Sequence, residues 1–194
     1  MSGRLTIERP EAEVVAHTHL VIKLDAEGDG ELRFTDPRRF GGIWWLGQDG
    51  DSDDMGPEPL TIRSAELSAR LYRTTRAIKN ALLDQSVIAG LGNIYVDESL
   101  FAARIHPLTP ANKLTGLQIA ALNRAIKTTL RRALRHRGST LRDYRDANGD
   151  TGGFQLRHRV YAREDKPCAV CKRPIKRIVL GGRSTHFCAN CQRR

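Results

Sequence analysis

The 194-residue chain has no apolar run approaching the width of a bilayer. Its longest, such as Ile43-Trp44-Trp45-Leu46 and Ile119-Ala120-Ala121-Leu122, fall far short of the roughly 20 residues a spanning helix needs, so no transmembrane helix is expected. Met1-Ser2-Gly3-Arg4-Leu5 opens no apolar segment ending in a small-residue cleavage site, which leaves a secretory signal unsupported and makes the cytosol the expected compartment. There is no excess of acid either. Asp and Glu number 22 against 32 Lys and Arg, giving a net charge of +10 and a pI near 10.0. This balance excludes an acidic disordered tail and favours a polyanionic partner. No internal repeat is visible. Cysteine is absent before position 168, and all four cysteines lie from there to position 191. In a reducing compartment such crowding suits metal ligation better than disulfides.

With 40% hydrophobic and 28% charged residues, the composition is that of a folded chain of one or two domains. Residues 14 to 24 and 31 to 35 read as strands of an antiparallel hairpin around the turn Glu27-Gly28-Asp29-Gly30. A further strand is expected over Gly41 to Leu46, and an interdomain linker over Gly47 to Pro59. From Ser64 to Arg137 the pattern turns helical. Ile119, Leu122, Ile126, Leu130 and Ala133 share one face of a helix over Leu117 to His136. Thr115 with Gln118 forms a capping-box signature, and Arg135, His136 and Arg137 before Gly138 suit the negative end of the helix dipole. The outward cations Arg124, Lys127, Arg131, Arg132 and Arg135 serve equally well as an ordinary solvated surface.

The strongest local signal is the pair of knuckles Cys168-Ala169-Val170-Cys171 and Cys188-Ala189-Asn190-Cys191, separated by sixteen residues. Two CxxC turns at this spacing suit one structural Zn²⁺ held by Cys168, Cys171, Cys188 and Cys191, with Ile175 to Leu180 and Ser184 to Phe187 as the hairpin between them. A pair of disulfides is the competing reading, and His186 reads as an ordinary hairpin residue beside a complete thiolate set. Gly181-Gly182-Arg183-Ser184 lets the backbone approach a ligand closely while projecting one guanidinium, which singles out Arg183 among the cations of this segment. Upstream, Gly90-Leu91-Gly92-Asn93 lies between short helical stretches at Ile78 to Leu83 and Ile94 to Ala103. It presents backbone N–H groups at a helix start, which suits a phosphate, although a simple turn explains it as well.

Taken together, Leu83-Asp84-Gln85, Gly90-Leu91-Gly92-Asn93-Ile94-Tyr95, Glu98-Ser99-Leu100-Phe101 and Ile105-His106-Pro107 resemble the helix-two-turn-helix element of the formamidopyrimidine-DNA glycosylase and endonuclease VIII family. Asp36-Pro37-Arg38-Arg39-Phe40-Gly41, Gly138-Ser139-Thr140-Leu141 and the cysteine module are similar to the same family in the same order, with details that favour the formamidopyrimidine branch. The resemblance implies an α+β fold. A partial N-terminal β-sandwich (1–52) is followed by a helix-two-turn-helix α domain (60–150) and a four-cysteine zinc-finger β-hairpin (155–194). It implies a monomeric repair enzyme of the bacterial cytoplasm, associated with the nucleoid, whose partner is damaged double-stranded DNA. Its reaction everts an oxidised purine such as 8-oxoguanine or formamidopyrimidine, cuts the glycosidic bond, and nicks the abasic strand by β,δ-elimination. By the same resemblance Lys79, Asn93 and Arg183 hold phosphates at the lesion, His17 contacts DNA, and Arg183 also serves the elimination step. Met1, Arg38 and Phe40 match the wedge that fills the space of the everted base, and Asp146 to Arg157 matches a lesion-capping loop.

The resemblance breaks at the start. The family nucleophile is the secondary amine of an N-terminal proline, followed by a glutamate acid and, further along, a lysine, whereas Met1-Ser2-Gly3 matches an internal family segment. Either the start is misplaced and the chain is a fragment of a full glycosylase, or the chain is a catalytically inactive damaged-DNA-binding zinc protein. An RNA-binding or translation-associated zinc protein is a third reading, resting only on charge and the CxxC pairs. Thr74 is a smaller departure, near where relatives often carry a cationic phosphate contact, though Arg73 and Arg76 flank it. From the wedge assignment, Phe40→Ala is expected to weaken binding to a lesion duplex more than to undamaged duplex in a gel shift; equal losses would remove that assignment.

Overall fold

A computed structural model describes residues 3–25, 30–39, 41–45, 55–141, 144 and 150–193. It comprises two compact units, Met1–Asp51 with Ala133–Arg157 and Ser52–Arg132 with His158–Arg194.

In the first unit β1 (Arg4–Glu8), β2 (Thr18–Lys23) and β3 (Glu31–Thr35) form an antiparallel sheet of order β1-β3-β2. The register sets Leu5 and Leu20 beside Phe34, and Ile7 and Ile22 beside Leu32, so six apolar side chains share one face. That face is open, with Leu5 49% and Ile7 56% exposed. The opposite face is polar. Across it Arg33 donates to Glu31 at 2.8 and 3.0 Å and to the carbonyls of Glu13 and Arg9 at 3.0 and 3.3 Å, which binds the β1–β2 loop to the sheet.

Three expectations need correction here. β1 was not foreseen, although Leu5 and Ile7 alternate with polar neighbours. Residues 14 to 17 are not strand: His17 takes a φ of 67°, which breaks the extended run before Thr18. Residues 41 to 45 form no strand, having no ladder partner among the described residues, and Trp44 and Trp45 stand 75% and 87% exposed. Leu46, the Glu27-Gly28-Asp29 part of the expected turn and most of the expected linker lie outside the described residues.

The second unit carries the helices α1 (Ser64–Tyr72), α2 (Ile78–Leu83) and α3 (Asn93–Ala102), most of α4 (Gly116–Arg135), and the hairpin β4 (Lys176–Leu180) with β5 (Arg183–Phe187). Its core gathers Leu67 and Leu71 of α1, Ile78 and Leu82 of α2, Val96 and Leu100 of α3, and Ile119, Leu122 and Ile126 of α4. The predicted apolar face of α4 is therefore the buried one, while Arg124, Arg131 and Arg135 are exposed and Lys127 and Arg132 half-buried. No helix among the described residues is long and apolar enough to cross a membrane.

Both ends of α4 are closed, the first as its sequence predicts. The Thr115 N–H donates to Gln118 Oε1 at 2.9 Å and the Gln118 N–H to Thr115 Oγ1 at 3.3 Å, a reciprocal capping box. At the other end the Gly138 N–H reaches the Ala133 carbonyl at 2.9 Å and the Arg137 N–H the Leu134 carbonyl at 3.0 Å, a Schellman closure with Arg137 at a φ of 55°. Beyond it the Gly153 and Phe154 N–H groups bond to the His136 and Gly138 carbonyls at 2.8 and 2.9 Å, which anchors the described end of the expected capping loop. Thr115→Ala is expected to cost about 1 kcal/mol and to lower the thermal midpoint by about 2–4 °C; an unchanged melt followed by far-UV circular dichroism would contradict the capping role.

Candidate functional site

Two side chains shape the turns between α2 and α3. Asp84 accepts the Ser86 N–H at 3.0 Å, the Ser86 hydroxyl at 2.6 Å and the Arg76 guanidinium at 2.8 Å. The Ser86 hydroxyl first, then Arg76, hold its carboxyl down at about 2. Gln85 accepts the Gly90 N–H at 2.8 Å and donates to the Leu83 and Leu91 carbonyls at 3.1 and 3.2 Å, stapling the second turn. Helix α3 then starts at Asn93, preceded by Gly92. Gly92 has an ordinary φ of −100°, and a Cβ there would meet nothing within 4 Å. Neither strain nor internal packing calls for glycine at this position. What glycine provides is a bare helix N-terminus that a ligand can approach closely.

Facing this start is the tip of the zinc-finger hairpin. Leu180 pairs with Arg183 across Gly181-Gly182, whose φ values of 56° and 72° define a two-residue turn of the I′ type. Arg183 is exposed and Ser184 half-buried. Three side chains from the helices converge on the strand behind Arg183. Asn93 Nδ2 donates to the Ser184 carbonyl at 2.9 Å, and Lys79 Nζ donates to the same oxygen at 2.8 Å. Lys79 also pairs with Asp97 Oδ1 at 2.6 Å, and Asp97 Oδ2 accepts the His186 N–H at 2.8 Å. Lys79 is 0% and Asp97 1% exposed. Burial lowers the Lys79 pKa, Asp97 opposes that shift, and the Arg183 guanidinium adds to it, so Arg183 is electrically close to the pair.

The cysteine Sγ atoms all lie within 4.8 Å of one another, with Cys171 and Cys188 3.4 Å apart and Cys168 and Cys191 4.0 Å apart. A tetrahedral zinc with Zn–S bonds near 2.3 Å needs sulfurs about 3.8 Å apart, which this set fits. All four are free, and the closest gap far exceeds a disulfide bond of about 2.05 Å, so the disulfide reading falls. The Val170 N–H points at Cys168 Sγ at 3.4 Å, and the Arg173 N–H brings the Cys171 thiol down to about 6. Burial and neighbouring thiols push Cys191 up to about 12. The cluster is a structural site for one zinc. Around it Phe101, Val160, Cys168, Ile175 and Cys188 form a small second core.

The structure brings Lys79, Asn93 and Arg183 together. His17 and Arg38 belong to the other unit, His17 on an exposed turn and Arg38 exposed after β3 with its N–H on Asp36 Oδ1 at 3.2 Å. Met1 and Phe40 lie outside the described residues. His186 is no part of the cysteine cluster; its ring stands 3.4 Å from Asp97 and 4.9 Å from the Tyr161 ring. Sequence reasoning missed Asp97, and it placed Ser184 and Glu98 within motifs without assigning either a contact. Glu98 is buried and accepts the N–H groups of Arg159, Val160 and Tyr161, each at 2.9 Å. The available signal was two consecutive acids within a helix whose other residues are nearly all apolar.

Because the metal and the hairpin form one structure, Cys188→Ser is expected to hold less than one equivalent of zinc and to lose duplex binding with it. One full equivalent with parental binding, by metal analysis and gel shift, would contradict this coupling.

Three family profiles match the chain in order: "Formamidopyrimidine-DNA glycosylase N-terminal domain" over residues 1–43, "Formamidopyrimidine-DNA glycosylase H2TH domain" over 55–145, and "Zinc finger found in FPG and IleRS" over 165–194. The formamidopyrimidine-DNA glycosylase of Herpetosiphon aurantiacus is 46% identical over 198 residues, covering 99% of this chain and 71% of that protein. That of Bacillus subtilis is 43% identical over 200 residues, with the same coverage. Among solved structures, the Lactococcus lactis Fpg in complex with abasic-site DNA superposes with a TM-score of 0.87 at 35% identity, covering 100% of this chain and 73% of that one. The MutM (Fpg) protein of Thermus thermophilus gives 0.83 at 42% identity, covering 99% and 73%. With the two-turn element, the zinc cluster and the sheet all in the family's order, the chain belongs to the formamidopyrimidine-DNA glycosylase family.

Proposed function

We propose that the chain serves base-excision repair of oxidised purines in duplex DNA, as part of a glycosylase that also nicks the abasic strand. The observation that carries this reading is the corner where the bare start of α3, the Asn93 amide and the exposed Arg183 meet. N–H groups at a helix start, an amide and a guanidinium are the donors a phosphate needs. The net charge of +10 supports a polyanionic partner. Relatives whose solved complexes hold abasic or Fapy-dG DNA support the damaged duplex as that partner.

In this reading Asn93 and Arg183 grip the backbone beside the lesion, and Arg183 then serves the elimination step. His17 makes a further DNA contact. Arg38 faces the base left without its partner, while Met1 and Phe40 fill the stack. Zinc supplies no chemistry to the reaction; it fixes the hairpin that carries Arg183. The domain organisation that goes with this role is sandwich portion, 1–52, two-turn helical domain, 60–150, and zinc finger, 155–194. We place it in the bacterial cytoplasm as a monomer, in keeping with its bacterial relatives.

The test is a gel shift of the zinc-loaded chain on a labelled duplex with one abasic site, titrated with salt beside undamaged duplex. Lesion-selective binding is expected, and Arg183→Gln should lower the magnitude of the slope of log K against log salt by about 0.9, the value for one phosphate. Equal affinity for both duplexes, or an unaltered slope, would overturn the reading.

A further inference from the structure

Lys79 has the charge of a phosphate contact but not the position of one. Its Nζ is fully buried, with Asp97 Oδ1 at 2.6 Å and the Ser184 carbonyl at 2.8 Å. Being fully buried, it offers a DNA phosphate no surface to meet, and its charge is already engaged by a carboxylate in a short, charge-assisted bond. Both Asp97 oxygens are engaged, since the second takes the His186 N–H at 2.8 Å. The ion pair therefore grips β5 at two backbone points, the Ser184 carbonyl and the His186 N–H. Ser184 O accepts from both Lys79 and Asn93, at 2.8 and 2.9 Å, so both of its lone pairs are engaged and the strand cannot slide past the helices without losing both donors. The residue immediately before this grip is Arg183, and the amide that shares it is Asn93.

We propose that Lys79 and Asp97 are positioning residues for DNA binding: the pair locks β5 against α2 and α3 so that Arg183 and the backbone N–H groups at the start of α3 present their donors to one stretch of backbone, and Lys79 makes no phosphate contact itself. The inference rests on the DNA-binding reading above. It carries a sign opposite to simple Coulomb attraction. Neutralising Asp97 removes a negative charge from beside a polyanion and by charge alone should tighten binding. As a clamp, its loss loosens binding.

The experiment uses the full, zinc-loaded chain and a labelled duplex bearing a tetrahydrofuran abasic analogue. Asp97→Asn and Lys79→Met are each expected to weaken binding about tenfold, and each by less than about twofold in an Arg183→Gln background, because residues acting through a shared partner do not add. Binding by Asp97→Asn equal to or tighter than the parent overturns the proposal. So does a Lys79→Met loss that adds in full to that of Arg183→Gln, the behaviour of an independent phosphate contact. If a single variant loses zinc or its melting transition, the pair Lys79→Met with Asp97→Leu decides, since removing both charges together leaves no unpaired buried ion. The folded pair variant is expected to bind as weakly as the singles, and parental binding by it overturns the proposal. The parent itself gives a reading that needs no variant: the ¹⁵N resonance of the Lys79 ammonium should stay in place on adding DNA, and a shift to a phosphate-bound value overturns it. If the parent fails to bind any duplex, the DNA reading and this inference fall together. If the parent binds and Asp97→Asn binds equally well, only this inference falls.

Discussion

One buried contact, Lys79 to Asp97 at 2.6 Å, organises the second unit of this protein. An isolated charge in such surroundings is prohibitive, and even a pair repays its desolvation only when its remaining bonds are made. Here they are made by the backbone of β5, at Ser184 and His186. The requirement runs both ways: the pair needs the strand in order to be buried, and the strand is fixed because the pair needs it. Removing one partner of such a pair typically costs about 3–5 kcal/mol, a large share of the stability of an ordinary domain.

Helix α3 is built around this requirement. Val96 through Phe101 are all buried, three polar side chains among them. Asp97 and Glu98, adjacent in sequence and so about 100° apart around the helix, bond to different segments. Asp97 takes Lys79 and His186, while Glu98 gathers the N–H groups of Arg159, Val160 and Tyr161, with the Arg159 guanidinium 4.9 Å above the neighbouring Phe101 ring. Burial raises the Glu98 pKa, and the three N–H donors oppose that shift. One helix thus fastens the entry to the zinc finger with one carboxylate and its second strand with the other. Gln192 completes the attachment, accepting the Cys188 N–H and donating to the Ile105 carbonyl, each at 2.9 Å.

Local chemistry was legible in the sequence wherever a residue's partner lies within a few positions. The α4 capping box, the Gly181-Gly182 turn, the α2 bounds and the cysteine knuckles are all of this kind, and each is set by short-range geometry. What escaped was set by residues far apart in the chain. Asp97 carries no local signal, because its partners Lys79 and His186 lie 18 and 89 residues away along the chain. Glu98 falls within a motif, but its role shows only when residues about 60 positions on fold against it. The expected strand over Gly41 to Leu46 failed for the complementary reason: its described residues, 41 to 45, have no pairing neighbour among the described residues, and strand propensity is largely a statement about packing neighbours. Lys79 shows the limit of a motif. Resemblance located the residue, but only the fold shows that its charge is spent inside the protein.

The metal and the ion pair act in series on the same strand. The β4–β5 hairpin is two five-residue strands, and a two-stranded hairpin alone is at best marginal in water. Zinc closes its open end, where Cys188 follows directly on β5. The Lys79–Asp97 pair holds the middle, at Ser184 and His186, and the Gly181-Gly182 turn sets the tip. Arg183 lies between the second and third of these constraints, one residue from each. A long side chain on a flexible hairpin would lose rotamer and backbone freedom on meeting a phosphate, and that loss would subtract from affinity. Fixing the strand at three points transfers the ordering of its backbone to folding. The exposed Arg183 guanidinium then has only its own rotamers left to settle on meeting a ligand, and a structural metal and a buried ion pair both contribute to that preorganisation.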